Sequence, residues 1–235
     1  MKNKKWNKFG KLTEKCYLNM IGAEKDGSCW EQAFELLMEI IREEREQNPN
    51  YAPELELLDD ATDYAYDIQG WLEDCLDEID MRENYKALLN MCNSLLDMFG
   101  WLEYTDSDIK FRKAAVMARL GQKKEAVDFC EKWIQKEPEN LIAACAGVYA
   151  FIEVKAFEEA DKLVEQFIPD KTQCSEENDM MFVAASAFYQ VTGRKKEKKV
   201  VDKAIKDYEE YLKEYFESSE YDDEGEEFLD GELPF

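Results

Sequence analysis

The chain has 235 residues, with 54 acidic and 30 basic side chains, no histidine and a formal net charge of −24. At that length roughly 70 to 75% of the surface exposed by the unfolded chain is buried on folding, so one continuous core needs no disulfide or metal staple. The charge disfavours direct binding to DNA or RNA. Without imidazole there is no Ser/His/Asp or Cys/His pair and no histidine ligand for a metal.

Read in chain order, the residues open on a basic arm, 1–10, in which lysines surround Trp6 and Phe9. Aromatics among lysines can stack on bases or touch an anionic membrane, or the charges can simply pair with the acidic body. No apolar h-region follows, and no run of eighteen apolar residues occurs anywhere, so secretion and membrane spanning are not expected. Five prolines, at 49, 53, 138, 169 and 234, fall between apolar-periodic stretches or in the tail. Between these breaks the 3.6-residue period predicts ten helices: 11–22, 28–47, 54–79, 82–98, 107–119, 122–136, 140–154, 156–168, 176–191 and 194–216.

Two positions inside these helices stand out. Gly147 costs about 1 kcal/mol in helix propensity unless neighbouring helices approach closely there. Gly70 admits the same reading, or marks a break that splits 54–79. The stretch from Glu54 to Asp80 holds eleven carboxylates and no basic residue, and Asp59, Asp63 and Asp67 recur at the four-residue interval that aligns side chains on one helical face. Asp59, Asp60 and Asp63 also spell a D-D-x-x-D string of the kind that holds magnesium-bound diphosphate. From Glu217 onward nine carboxylates stand without a lysine or arginine, so 217–235 reads as an acidic tail that does not fold alone. Within it Phe228, Leu229, Leu233 and Phe235 form a candidate docking motif, or fold back on the last helix.

Seven cysteines at irregular spacing, with no C-x-x-C and an odd total, read as reduced thiols in a cytoplasmic protein rather than as a disulfide framework or zinc site. No catalytic residue, cofactor site or metal set is singled out, and enzyme activity is not expected.

One internal spacing carries the fold expectation. Gly121, Ala126 and Pro138 punctuate a turn, a helix and its end, and Phe157-Glu158-Glu159-Ala160 repeats the helix opening so that Ala126 and Ala160 lie 34 residues apart. This resembles the tetratricopeptide repeat, clearly over 107–168 and more weakly elsewhere. Trp30-x-x-Ala33 and Tyr85-x-x-Leu88 open weaker second helices, while Lys198 stands where the small residue belongs in the fifth pair. Lys110 and Lys113 also depart from the family pattern, which places packing residues there; either their stems snorkel or the helix is rotated.

The resemblance implies an all-α, right-handed α-solenoid of about five antiparallel helix pairs over 11–216, whose first helices line a concave groove for a protein or peptide. Carried onto this chain, the groove positions are Phe111, Ala115, Ala118 and Arg119 in one pair, Ile142, Cys145, Tyr149 and Ile152 in the next, and Met180, Val183 and Ala187 in the fifth. These imply an apolar groove and a scaffold or adaptor, monomeric or homodimeric, whose acidic surface favours a basic partner. Two alternatives remain open from sequence: an acidic inhibitor that mimics nucleic acid, presenting Asp59, Asp63 and Asp67, and a metal-dependent diphosphate enzyme at the D-D-x-x-D string.

Overall fold

The computed structural model describes residues 2–102 and 105–219, and these form eleven helices with no named strand among them. They are α1 (Lys2–Met20), α2 (Cys29–Gln47), α3 (Leu57–Asp60), α4 (Ile68–Met81), α5 (Tyr85–Met98), α6 (Ser107–Arg119), α7 (Lys123–Lys136), α8 (Leu141–Val154), α9 (Phe157–Phe167), α10 (Asp179–Thr192) and α11 (Lys195–Ser219). The all-α expectation therefore holds, and eight of the ten helices match the periodicity to within a few residues.

Two elements differ from the sequence reading. The first helix begins at Lys2, so residues 2–10 are its amino-terminal half rather than an arm. Trp6 and Phe9 are spaced to face inward with Cys16, and all three are buried. Trp6 stacks on Tyr66 at 5.3 Å and Phe9 meets Trp71 edge-on at 5.1 Å. Neither ring is left for a base or a membrane, and Lys5 pairs with Glu39 and Glu43 of α2 at 2.8 and 2.5 Å.

The second difference is the expected helix 54–79, which is divided. α3 is a single turn, Asp63 and Tyr64 adopt left-handed φ values of 52° and 56°, and α4 starts only at Ile68. The cause is local: run after run of carboxylates opposes one continuous helix, whereas Asp67 as N-cap and Asp59 from behind both satisfy the open N–H groups of α4. Gly70 is thus not the break. It sits in the first turn of α4, where a Cβ would meet the Asp67 carboxylate oxygens at 2.7 and 2.8 Å.

A single device recurs along the chain. α1, α4, α6, α8 and α10 each end in a residue with left-handed φ, namely Gly22, Glu83, Gly121, Lys155 and Gly193. In each, the following amide donates to a carbonyl five residues back: Ala23 to Leu18, Asn84 to Ile79, Gln122 to Met117, Ala156 to Phe151 and Arg194 to Tyr189, all between 2.8 and 3.1 Å. This is the Schellman closure, which satisfies the orphan carbonyls of a helix end and reverses the chain. Each of these helices packs on the next long helix, giving the pairs α1/α2, α4/α5, α6/α7, α8/α9 and α10/α11. The second helices of the first, third and fourth pairs stop just before Pro49, Pro138 and Pro169, and the preceding residues Asn48, Glu137 and Ile168 leave the helical region with φ of −135°, −132° and −130°, as the residue before a proline tends to.

Packing divides the interior into an amino-terminal core, centred on Trp30, Trp71 and Leu88, and carboxy-terminal cores around Trp133 and around Phe182 and Phe188. α6 serves both sides, giving Ile109 and Val116 to the first and Ala114 to the second. α8 and α10 pack side by side, as do α6 and α8. Gly147 lies at the tightest point of α8, where a Cβ would stand 2.6 Å from Ile134 Cδ1 of α7 and 3.0 Å from Leu163 Cδ1 of α9. The close approach inferred from its helix cost is present.

Candidate functional site

The first helices of the last three pairs, α6, α8 and α10, jointly line an open cleft of about 270 Å³. It exists because alanines face it: Ala114, Ala115 and Ala118 from α6, Ala146 and Ala150 from α8 and Ala187 from α10. Their i, i+4 spacing turns one methyl per helical turn toward the opening, and longer side chains at these positions would fill it. Phe111 and Tyr149 meet edge-on at 6.2 Å and make one wall. Ile152 and Val191 complete the apolar lining, and Val191 is 56% exposed.

Two charged residues stand at the rim, and each is already engaged. Arg119 bonds Asp80 of α4 at 2.5 Å and lies 5.1 Å over the Tyr85 ring, while Glu153 pairs with Lys123 at 2.8 Å. The interior of the cleft is therefore apolar, with one polar handle. Burial, aided by nearby Cys145, pushes the Tyr149 phenol above its ordinary pKa, so it stays a neutral donor and acceptor at neutral pH. Its hydroxyl makes no hydrogen bond to the described residues.

Of the eleven groove positions inferred from sequence, the structure gathers Phe111, Ala115, Ala118, Arg119, Tyr149, Ile152 and Ala187 in this cleft. Four lie elsewhere. Cys145 is in the core, 1% exposed, with burial and then Asp179 pushing its thiol up to about 12. Ile142 is half-buried against the Trp133 cluster. Met180 and Val183 are exposed on α10, two turns and one turn before Ala187 respectively, and extend the apolar stripe beyond the cleft. Ala114, Ala146, Ala150, Glu153 and Val191 were not singled out. For Ala146 and Ala150 the signal was the i, i+4 alanine spacing in α8; nothing comparable marks Ala114, Glu153 and Val191. The tail positions Phe228, Leu229, Leu233 and Phe235 lie outside the described residues.

The anomalous lysines of α6 pack on α7 by their aromatic contacts. Lys110 sits 5.2 Å over Trp133 and is held by Asp106 and Glu137 at 2.8 and 2.7 Å; Lys113 lies 4.8 Å over Phe129. Burial works against the charged form of Glu137, but bonds from Lys110, Trp133 and Asn140 together hold its carboxyl below the ordinary 4.5. The lysines thus substitute for large apolar residues within the pair, as snorkelling would have it.

The acidic stretch does not present the face required by two of the sequence readings. Asp59 is buried, 5% exposed, and accepts from the amides of Ile68 and Gln69 at 2.7 and 3.3 Å and from the Gln69 side chain at 3.1 Å. Asp67 caps α4 through Gly70, Asp60 binds the Tyr64 hydroxyl, and Asp63 sits on the intervening turn. Asp59, Asp63 and Asp67 therefore share no helical face as a row of phosphate mimics, and in the D-D-x-x-D string Asp59 is turned inward onto α4 while Asp60 accepts from Tyr64. Among the described residues no helix is long and apolar enough to cross a membrane. Comparison with protein-family models, curated proteins and solved structures gave no match.

Proposed function

We propose that the chain is a tetratricopeptide-like helical-repeat protein, an α-solenoid in the cytoplasm that binds a protein or peptide through the face formed by α6, α8 and α10 and acts as a scaffold or adaptor. The observation that carries the reading is the alanine-floored cleft, which three successive first helices build together and none builds alone. The recurring Schellman turns, the burial of Ala126 and Ala160 at equivalent places in α7 and α9, and the seven free thiols support it. An apolar cleft whose rim charges are both paired fits an apolar side chain or helix face better than a free carboxylate. The net charge of −24 favours a basic partner and accelerates its encounter.

The test is a comparison of wild type with Ala118→Trp, a half-buried lining position where the indole would occupy the cleft. Both proteins, tagged, are exposed to the native lysate. A partner retained by wild type through high salt and lost by a variant of unchanged melting temperature supports the reading. Equal retention by both overturns the assignment of the cleft.

A further inference from the structure

α11 and the α9–α10 connection line a second groove, of about 370 Å³, with a basic edge on a chain of net charge −24. Its floor is Val200, 41% exposed, and Ala204; its edge is Lys196, Lys199 and Lys203, with Thr172 from the α9–α10 connection on one side. Asp207, the carboxylate among the lining residues, pairs with Lys203 at 3.0 Å. Lys196 and Lys199 make no ion pair or hydrogen bond within the described residues. A lysine stripe over an apolar floor suits an extended anionic segment with hydrophobic residues between its charges.

The chain carries such a segment. Residues 220–235 read EYDDEGEEFLDGELPF, with eight carboxylates, no basic residue and Phe228, Leu229, Leu233 and Phe235 interspersed. We propose that this segment folds back along α11, seating Phe228 and Leu229 over Val200 and Ala204 with the neighbouring carboxylates against Lys196, Lys199 and Lys203. The lengths agree. From Ser219 back to Lys203 the helix rises about 24 Å, at about 1.5 Å per residue. Nine extended residues after Ser219 span about 30 Å, which brings Phe228 to the level of Lys199 and Val200. The charges agree as well, with Glu226 and Glu227 on one side of Phe228-Leu229 and Asp230 and Glu232 on the other. Tethering at this distance supplies an effective concentration in the millimolar range, so weak contacts suffice.

The other sites fit the segment less well. Lys4, Lys8, Lys11 and Lys15 form an exposed basic stripe on α1, but the rings of that helix, Trp6 and Phe9, face the core. At the α6/α8/α10 cleft the guanidinium of Arg119 is already bound to Asp80.

The test uses the full chain, mixed one to one with its nitrogen-15-labelled copy and treated with a carbodiimide, which joins lysine amines to carboxylates in contact. The expected result is that Lys196, Lys199 or Lys203 is linked to carboxylates of 222–232 within one isotopic species, with severalfold lower yield at about 0.5 M salt. The yield should also fall severalfold in the Phe228→Ala, Leu229→Ala double variant, which keeps every carboxylate. Links between labelled and unlabelled chains would assign the groove to a second copy. Links scattered evenly over the α1 and α11 lysines, no links at all, or a yield unchanged in the double variant would each overturn the proposal.

Discussion

Asp59→Ala should be among the most damaging single substitutions of a carboxylate in this chain, although 54 acidic residues make any one of them look expendable. Its side chain accepts from Ile68 at 2.7 Å and Gln69 at 3.3 Å, two of the orphan amides that open α4. Losing a cap costs about 1 kcal/mol. The Ile68 amide is buried and would be left without an acceptor, adding about 1–3 kcal/mol. The sum is roughly 2–4 kcal/mol, a large share of the 5–15 kcal/mol typical of a domain. Asp59→Asn keeps an acceptor oxygen for the buried Ile68 amide but turns an NH2 toward the Gln69 donors and forfeits the charge at the helix N-terminus, so it should cost about 1–2 kcal/mol, less than Asp59→Ala. Asp60→Ala, at an exposed neighbour, should stay within about 0.5 kcal/mol. Urea unfolding followed by tryptophan fluorescence reads this directly, since Trp30 and Trp71 stack 6.4 Å apart in the same core as Ile68. A loss below about 0.5 kcal/mol for Asp59→Ala, or equal losses for Asp59→Ala and Asp60→Ala, would refute the capping argument. A magnesium-dependent rise in the wild-type midpoint that Asp59→Ala abolishes would return the D-D-x-x-D reading to consideration.

Three further outcomes follow from the packing. Gly147→Ala should destabilise by about 1–3 kcal/mol despite its better helix propensity, and Ile134→Val, which deletes the clashing Cδ1, should recover part of that loss in a double-mutant cycle. Tyr189→Phe should be neutral or stabilising by up to about 1 kcal/mol at neutral pH, because the buried hydroxyl has no hydrogen-bond partner. Burial, partly offset by Arg194, pushes this phenol up to about 12 from 10.0, so the stability gained by keeping it neutral is complete below pH 10 and lost as pH rises toward 12. Denaturation across that window should therefore show a shallower decline in the variant. Arg45→Met should cost about 2–4 kcal/mol, since the guanidinium donates to the carbonyls of Tyr51, Ala52 and Met98 and covers the Phe99 ring at 5.2 Å; faster amide exchange over residues 50–56 would report the freed loop.

Where the sequence was legible, one physical signal dominated. Helices α5, α7, α9 and α11 carry strong 3.6-residue periodicity between clear stops, and Gly121, Gly193, Pro138 and Pro169 mark the chain reversals and helix ends without competition. The same turn at Glu83 and Lys155 was invisible, because neither residue has the backbone freedom that advertises a left-handed φ. α1 was cut short since a lysine-rich composition resembles a solvated arm, and only the spacing of Trp6, Phe9 and Cys16 reveals a buried stripe. In 54–79 the carboxylate period imitated a helical face, whereas buried Asp59 serves a helix that begins nine residues later. The candidate site followed the same division. Of the positions implied by the repeat resemblance, Phe111, Ala115, Ala118 and Ala187 line the cleft, whereas Cys145 and Ile142 on the nearly all-apolar α8 do not, because a helix buried on most sides gives periodicity little to choose between faces.

The double allegiance of α6 bears on how the chain comes apart. Ile109 and Val116 belong to the core built by α1–α5, and Ala114 to the one built with α7 and α8, so these two bodies of packing share a single rod. Their melting is coupled for as long as that rod stays folded. Weakening one of its faces would divide a single sharp transition into two, each half then unfolding with its own denaturant midpoint and its own smaller surface change.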